Sequence, residues 1–282
     1  MSSYSNPEAM VDSDYLAAHL DDPTIAIVEV DEDTSAFDSG HIPGAVSLNW
    51  ETELHASPRR NFVSSGELAD LFASKGISDD QTIVLYGGNN NWFAAYAYWL
   101  CKYRGIDNVK LLNGGRMKWE LEGRTVTTAT TTPSKGRFAP GSDRPGLRVF
   151  RDEIAAMAAG GGTTMIDVRS PAEFSGEMMA PPHLPQEQPY VAGHVPGARN
   201  IPWSQAANED GTFKSADELR SLYEGAGVRA NGDIVAYCRI GERSSHTWFV
   251  LHELLGLPKV RNYDGSWTEY GSLVDVPVEV GT

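Results

Sequence analysis

The sequence predicts an α/β protein made of two tandem homologous domains, each a parallel sheet flanked by helices. Three observations predict it. First, the chain repeats itself. GHIPGA at 40–45 returns as GHVPGA at 193–198, and His41 and His194 each precede a tryptophan, Trp50 and Trp203, by nine residues. In the same order, Ile27–Val30 matches Met165–Val168, Ile83–Tyr86 matches Ile234–Tyr237, and LLNGG at 111–115 matches NYDGS at 262–266. Second, short β-branched runs alternate with longer helical patterns within each half, as in a parallel sheet whose crossover helices cover its faces. Third, residues 125–146, TVTTATTTPSKGRFAPGSDRPG, are rich in Thr, Pro, Gly and Ser and have little periodicity. The chain therefore divides into a first domain at 1–124, a linker at 125–147 and a second domain at 148–282. Each repeat unit has about 120–130 residues, near the common domain size. The threonines of the linker favour an extended path along a surface.

The bulk numbers narrow the function. The 282 residues are 41% hydrophobic and 22% charged, the balance of a globular protein. No apolar run reaches the roughly 18 residues that a membrane span needs. The opening residues MSSYSNPEAMVDSD have neither a basic start nor an apolar run, so a cytoplasmic protein is expected rather than a secreted one. With 23 Lys and Arg against 38 Asp and Glu, the net charge is −15. Such a surface repels nucleic acid and anionic lipid, and neither is expected as a partner. A small anionic substrate would need a local cluster of donors. Two cysteines, Cys101 and Cys238, make neither a four-thiolate zinc site nor a disulfide framework, so no metal site is expected.

In the second half, Arg151–Ala159 reads as a helix and Met165–Val168 as a buried strand. Asp217–Gly225 reads as a helix, with Ser215 as its N-cap and Glu218 three residues on. Ile234–Tyr237 is a strand and Ser245–Leu255 a helix closed by Gly256 and Pro258. Lys259–Tyr263 is a further strand. Ligands of such sheets bind beyond the carboxyl ends of the strands.

Cys238 sits at that place, directly after Ile234–Tyr237, in the loop Cys238-Arg239-Ile240-Gly241-Glu242-Arg243. Gly241 permits a tight turn whose N–H groups converge. The following helix adds its positive end, and Arg239 and Arg243 add full charge suited to oxyanions. A cysteine in such surroundings is expected to ionise below its usual value of about 8.5, and the thiolate is the nucleophile. The first repeat has Tyr86-Gly87-Gly88-Asn89-Asn90-Asn91-Trp92 at this place. It keeps the fold signals and lacks the nucleophile, so a structural role is expected for the first domain.

These motifs resemble the tandem rhodanese family of thiosulfate and 3-mercaptopyruvate sulfurtransferases, and most of all its actinobacterial thiosulfate sulfurtransferases. Both repeats carry an aromatic residue, three residues, then H-[I/V]-P-G-A, from Phe37 to Ala45 and from Tyr190 to Ala198. VRNYDGSWTEY at 260–270 resembles the family's C-terminal signature. The resemblance runs from about residue 10 to 280. It implies that Cys238 accepts a sulfane sulfur as a persulfide and passes it to cyanide or a thiol. It also implies that no cofactor is needed. Arg239 matches the basic position of thiosulfate-preferring members, where those preferring 3-mercaptopyruvate tend to have glycine. Arg243 departs from the animal loop, so its role rests on charge. The family's second substrate-binding arginine does not map cleanly: Pro196 fills the variable place, and Arg199, three residues later, is a candidate. With 3-mercaptopyruvate as donor, or a protein partner as acceptor, the same site would serve as an alternative transferase or as a persulfide carrier.

The C-x4-R spacing is one residue short of the C-x5-R phosphatase loop, which ranks phosphatase or arsenate reductase chemistry below sulfur transfer. His41 and His194 recur where chemistry is absent, which marks them as loop-fixing. Asp167 and Arg169 read as a structural ion pair. Asp264, Trp267 and Glu269 fall on the carboxyl-end side, where pocket lining and packing explain them equally well. His246 and His252 lie on the helix after the loop as a candidate base and a surface residue. Cys101, within AAYAYWLCKYRG, reads as a packed core thiol. The insert Gly176–Val191, with its four prolines, has no function legible in sequence.

Overall fold

The apolar run Ile25–Asp31 can sit at the middle of a sheet because nearly every side chain in it is buried. In the computed structural model, which describes residues 3–58, 61–130, 134–182 and 187–281, it does so. The chain divides into two compact units, one made of 8–144 with 209–213, the other of 1–7, 145–208 and 214–282.

The first unit holds β1 (Met10–Val11), α1 (Ser13–Ala18), β2 (Ile25–Asp31), α2 (Ser35–Ser39), β3 (Val46–Asn49), α3 (Trp50–Glu53), α4 (Ser65–Ser74), β4 (Thr82–Tyr86), α5 (Trp92–Tyr103), β5 (Val109–Leu112) and α6 (Gly115–Leu121). Its five strands are all parallel, in the order β1-β5-β4-β2-β3. One face packs Leu16, Ile27, Phe37, Val84 and Trp119 into a core. The α5 helix buries Cys101 with Trp99 and Tyr98. Burial pushes the Cys101 thiol up to about 12, so it is the inert core thiol expected. Past α6 the chain runs extended: Thr127 pairs with His41, Gly136 bonds Ala73 and Arg144 bonds Tyr103. Arg104 and Asp143 add a two-pronged ion pair.

The second unit holds α7 (Arg151–Gly160), β6 (Thr164–Asp167), α8 (Pro171–Ser175), β7 (Arg199–Asn200), α9 (Ala216–Gly225), β8 (Ile234–Tyr237), α10 (Glu242–Phe249), β9 (Val260–Tyr263) and α11 (Ser266–Tyr270). The strands are parallel, in the order β7-β6-β8-β9. A bridge from Arg148 to Asn262 continues the sheet where β1 lies in the first unit. Met165, Val195, Val235, Tyr263 and Trp267 form its core. The Ser215 and Glu218 capping box is present on α9. Among the described residues no helix is long and apolar enough to cross a membrane.

Two sequence expectations change. The helix after the active loop starts at Glu242, not Ser245, because Gly241 adopts the left-handed conformation that admits the chain to it. Its continuation, Val250–Leu254, is a π-helical turn. The aromatic partner of His194 is Phe174, not Tyr190. The His194 ring stacks on Phe174 at 3.5 Å and its Nδ1 bonds the Phe174 carbonyl, as His41 stacks on Phe37 at 3.7 Å with the same bond. Tyr190 is 85% exposed. The insert has moved the true partner upstream and left a look-alike beside the motif. Residues 183–186 of that insert lie outside the described residues.

Candidate active site

Strand β8 carries the chain to the carboxyl end of the second sheet, where Cys238 leaves it fully buried. Its backbone N–H donates to Ser266 Oγ at 3.0 Å, and Ser266 Oγ donates to the Tyr263 carbonyl at 2.7 Å. This ties the backbone of Cys238 to the end of β9. Ser266 holds φ +52, a conformation L-residues rarely adopt, at the start of α11. Its counterpart by repeat spacing, Gly115, holds φ +54. The glycine in the first repeat was the available signal for a residue the sequence reading missed.

The loop closes over the sulfur. Gly241 N–H points at Sγ at 3.1 Å, and the Ser244 N–H also faces it. Gly241 has φ +106, and a Cβ there would stand 2.9 Å from the Asp264 Cα. Only glycine turns here without displacing backbone. Ser245 Oγ donates to the Gly241 carbonyl at 2.7 Å and Ser244 Oγ to Asn262 Oδ1 at 2.7 Å, which pins the turn to α10 and β9.

The expected thiolate is not the resting form. Burial and the Glu242 carboxyl push the Cys238 thiol above its ordinary value, against the pull of Arg243 and the loop N–H groups. The thiol instead donates to Glu242 Oε2 at 3.3 Å. The cations of the loop are visible in its sequence, whereas the desolvation of the sulfur and its contact with the loop's one acid arise only on folding.

The two loop arginines part ways. Arg243 turns into the protein and makes a two-pronged ion pair with Glu173 of α8, at 2.9 and 3.0 Å, and a contact to Glu242 at 3.3 Å. Burial opposes its charge, but Glu173 holds it above its usual value. Burial likewise opposes the Glu173 charge, yet Arg243 brings Glu173 down to about 2. Arg243 thus acts on the sulfur through space rather than as a free donor. Arg239 is fully buried, and none of its three guanidinium nitrogens has a hydrogen-bond partner among the described residues. Burial lowers its pKa, and the charges that reach it are those of Glu242, Arg243, Glu173 and Cys238. Arg199 is not brought to this place. It is exposed at the start of β7, paired with Ile166, and its side chain bonds the Ala226 carbonyl past the end of α9.

The surrounding groups are structural. Arg169 is fully buried with Asp167 at 2.6 Å and bonds the Gly193 carbonyl, so the expected ion pair is present. Asp264 is held by Arg148 through two bonds of 2.8 Å. Trp267 donates to the Val191 carbonyl, and Glu269 accepts from Tyr263. His246 is buried and pushed down to about 3, so it stays neutral, and His252 stacks on Trp248.

The first unit closes the matching place. Gly87 N–H donates to Asn91 Oδ1 at 3.0 Å, and Asn91 Nδ2 donates to the Leu112 carbonyl at 2.7 Å. Asn91 stands where the repeat spacing places Glu242 in the second unit. A Cβ on Gly87 would run into the Val30 carbonyl oxygen.

This geometry has relatives. The rhodanese-like domain model matches residues 12–122 and 150–273. The chain is 54% identical over 275 residues to a Mycolicibacterium smegmatis protein provisionally named thiosulfate sulfurtransferase, covering 98% of this chain and 99% of that one. It is 50% identical over 281 residues to the sulfur carrier protein TtuD of Thermus thermophilus, covering 99% of each. Among solved structures, the anaerobic ergothioneine biosynthesis enzyme of Chlorobium limicola, in complex with trimethyl histidine, aligns with a TM-score of 0.84 at 25% identity, over all of this chain and 72% of that one. Two matches to one domain model, together with relatives above half identity over nearly the full length, place the chain in the rhodanese-like family as a tandem of two such domains.

Proposed function

We propose that the protein moves sulfane sulfur from thiosulfate to a thiophilic acceptor, cyanide or a thiol, through a persulfide on Cys238. The observation that carries this reading is the pairing of a buried sulfur under converging N–H groups with the buried guanidinium of Arg239, which has no partner among the described residues. A buried cation without a partner is costly, and an oxyanion satisfies it. The Cys238 sulfur attacks the outer sulfur of thiosulfate, the S–S bond breaks, and its electron pair leaves with sulfite. Arg239 holds the sulfonate oxygens and stabilises charge on the leaving group. The N–H groups of Gly241 and Ser244 hold the outer sulfur of the persulfide, and the acceptor then removes it. The cycle is ping-pong and uses a covalent intermediate.

A wider phosphatase-type cradle is disfavoured by the 3.1 Å approach of Gly241 N–H to the sulfur and by the capture of Arg243 by Glu173. The likeness to a sulfur carrier protein favours a second reading, in which the acceptor is another protein and the Cys238 chemistry is unchanged. Intact mass after thiosulfate and then cyanide tests both, on wild type and Cys238→Ser. A gain of one sulfur atom, discharged by cyanide and absent from Cys238→Ser, is expected. No gain with thiosulfate or 3-mercaptopyruvate would overturn the transferase reading and leave the carrier one.

A further inference from the structure

Resting on that assignment of Cys238 as the sulfur acceptor, we propose that Glu242 is a catalytic residue that takes the Cys238 proton when sulfur arrives, keeps it during the persulfide stage, and returns it when sulfur leaves. Four observations support it. The thiol and the carboxyl are in direct contact, Sγ donating to Oε2 at 3.3 Å. Both residues are fully buried, so the carboxyl in contact is the proton acceptor at hand. The carboxyl is held in place: Glu242 opens α10 after the left-handed Gly241, and Arg243, itself clamped by Glu173, donates to its other oxygen. In the first unit, where Gly87 stands at the place of Cys238, the place of Glu242 is held by Asn91, an amide that cannot accept a proton at neutral pH.

The exchange balances. In the first half-reaction the Sγ–H proton passes to Glu242 Oε2 as the Sγ lone pair forms the new S–S bond. The old S–S bond breaks and its pair departs with sulfite. The site then holds an anionic persulfide beside a protonated Glu242, with the same total charge as the thiol beside the carboxylate. In the second half-reaction cyanide bonds the outer sulfur, the S–S pair returns to Sγ, thiocyanate leaves, and the proton moves back from Glu242 to Sγ. The buried site thus gains no net charge in either step, which matters where desolvation makes an added charge expensive. The charged groups around the pair are Arg243 on α10, Arg239 in the loop and Glu173 on α8.

The test compares wild type, Glu242→Gln and Glu242→Asp from pH 6 to 9. It measures single-turnover sulfur loading from thiosulfate by mass, and capping of Cys238 by methyl methanethiosulfonate, a small neutral reagent whose reaction needs no sulfur transferase activity. Wild type is expected to react at a nearly constant rate across this range in both reactions. In Glu242→Gln the thiol must lose its proton to solvent, so the rate should fall about tenfold for each pH unit below the thiol's own pKa. Its rate should therefore climb toward that of wild type at the alkaline end of the range. Glu242→Asp, which keeps a carboxyl, should keep the flat profile at a lower rate. A Glu242→Gln profile that is flat, or depressed equally at every pH, overturns the proposal, the second pattern being that of a structural role. If wild type caps with a flat profile but never loads from thiosulfate, the proton role stands and the thiosulfate donor is wrong.

Discussion

Replacing Arg239 by methionine, a long side chain without charge, separates two effects of one buried guanidinium. In the resting protein the group is fully buried, and none of its three nitrogens has a partner among the described residues. Exchange of buried charge for an apolar group of similar size stabilises by about 1–4 kcal/mol where the charge is poorly paired. For a unit of this size that raises the thermal midpoint by roughly 3–10 °C. With thiosulfate bound, the same change removes two charge-assisted hydrogen bonds at about 1.5–3 kcal/mol each. The expected loss in kcat/KM for thiosulfate is therefore about a hundred- to ten-thousand-fold. The assay is steady-state thiocyanate formation beside differential scanning calorimetry on the same preparations. Arg239→Lys keeps the charge without the planar fork and should fall between the two in activity. An Arg239→Met protein that is less stable and fully active with thiosulfate would refute the reasoning, because its guanidinium would then be satisfied within the fold and idle in the reaction.

Other variants address the frame. Gly241→Ala forces a Cβ to 2.9 Å from the Asp264 backbone in a left-handed turn, and should lower stability by about 1–3 kcal/mol and abolish sulfur loading, read by urea denaturation and by mass. Glu173→Gln leaves Arg243 buried without the charge of its two-pronged partner, and should cost about 3–5 kcal/mol in denaturant unfolding. Because the folded protein holds Glu173 down to about 2, the stability it gives is complete above an unfolded pKa of about 4.3 and is lost as pH falls from there toward 2. Acid unfolding of wild type should thus steepen in that window, and Glu173→Gln should lack the component. Asp31 behaves oppositely. Burial, with Glu29 adding to it against the Gly88 N–H bond, pushes it up to about 7, so its contribution is full at low pH and is lost as pH rises toward 7. Asp31→Asn should raise stability measurably at pH 8 and leave it nearly unchanged at pH 4, by urea midpoints.

The duplicated architecture was readable because its turns need particular residues. Each H-x-P-G-A segment sets a histidine against an aromatic ring and a carbonyl, and that chemistry survives in both halves. Cys238 was readable from its place after a strand and before a helix. What escaped reading came from distance or from solvent. The partner that captures Arg243 is Glu173, seventy positions away on another element, and no local motif announces it. The choice of Tyr190 over Phe174 followed spacing alone, and the insert had broken that spacing. The state of the thiol depended on burial, which a loop sequence does not display, and on the Glu242 carboxyl, to which the loop's sequence assigns no contact.

The sealed crevice of the first unit has an evolutionary consequence. A mutation of Gly87 to cysteine would restore the missing residue type but not a site, since the new side chain meets the Val30 carbonyl and Asn91 already occupies the loop amide. Gly115, pressed against Asn91, closes the alternative of moving that side chain aside. A loop like that of the second unit would require changes at Gly87, at Asn91 and around Gly115 together. The two halves share one design, but a single substitution at Gly87 cannot give the first the loop of the second.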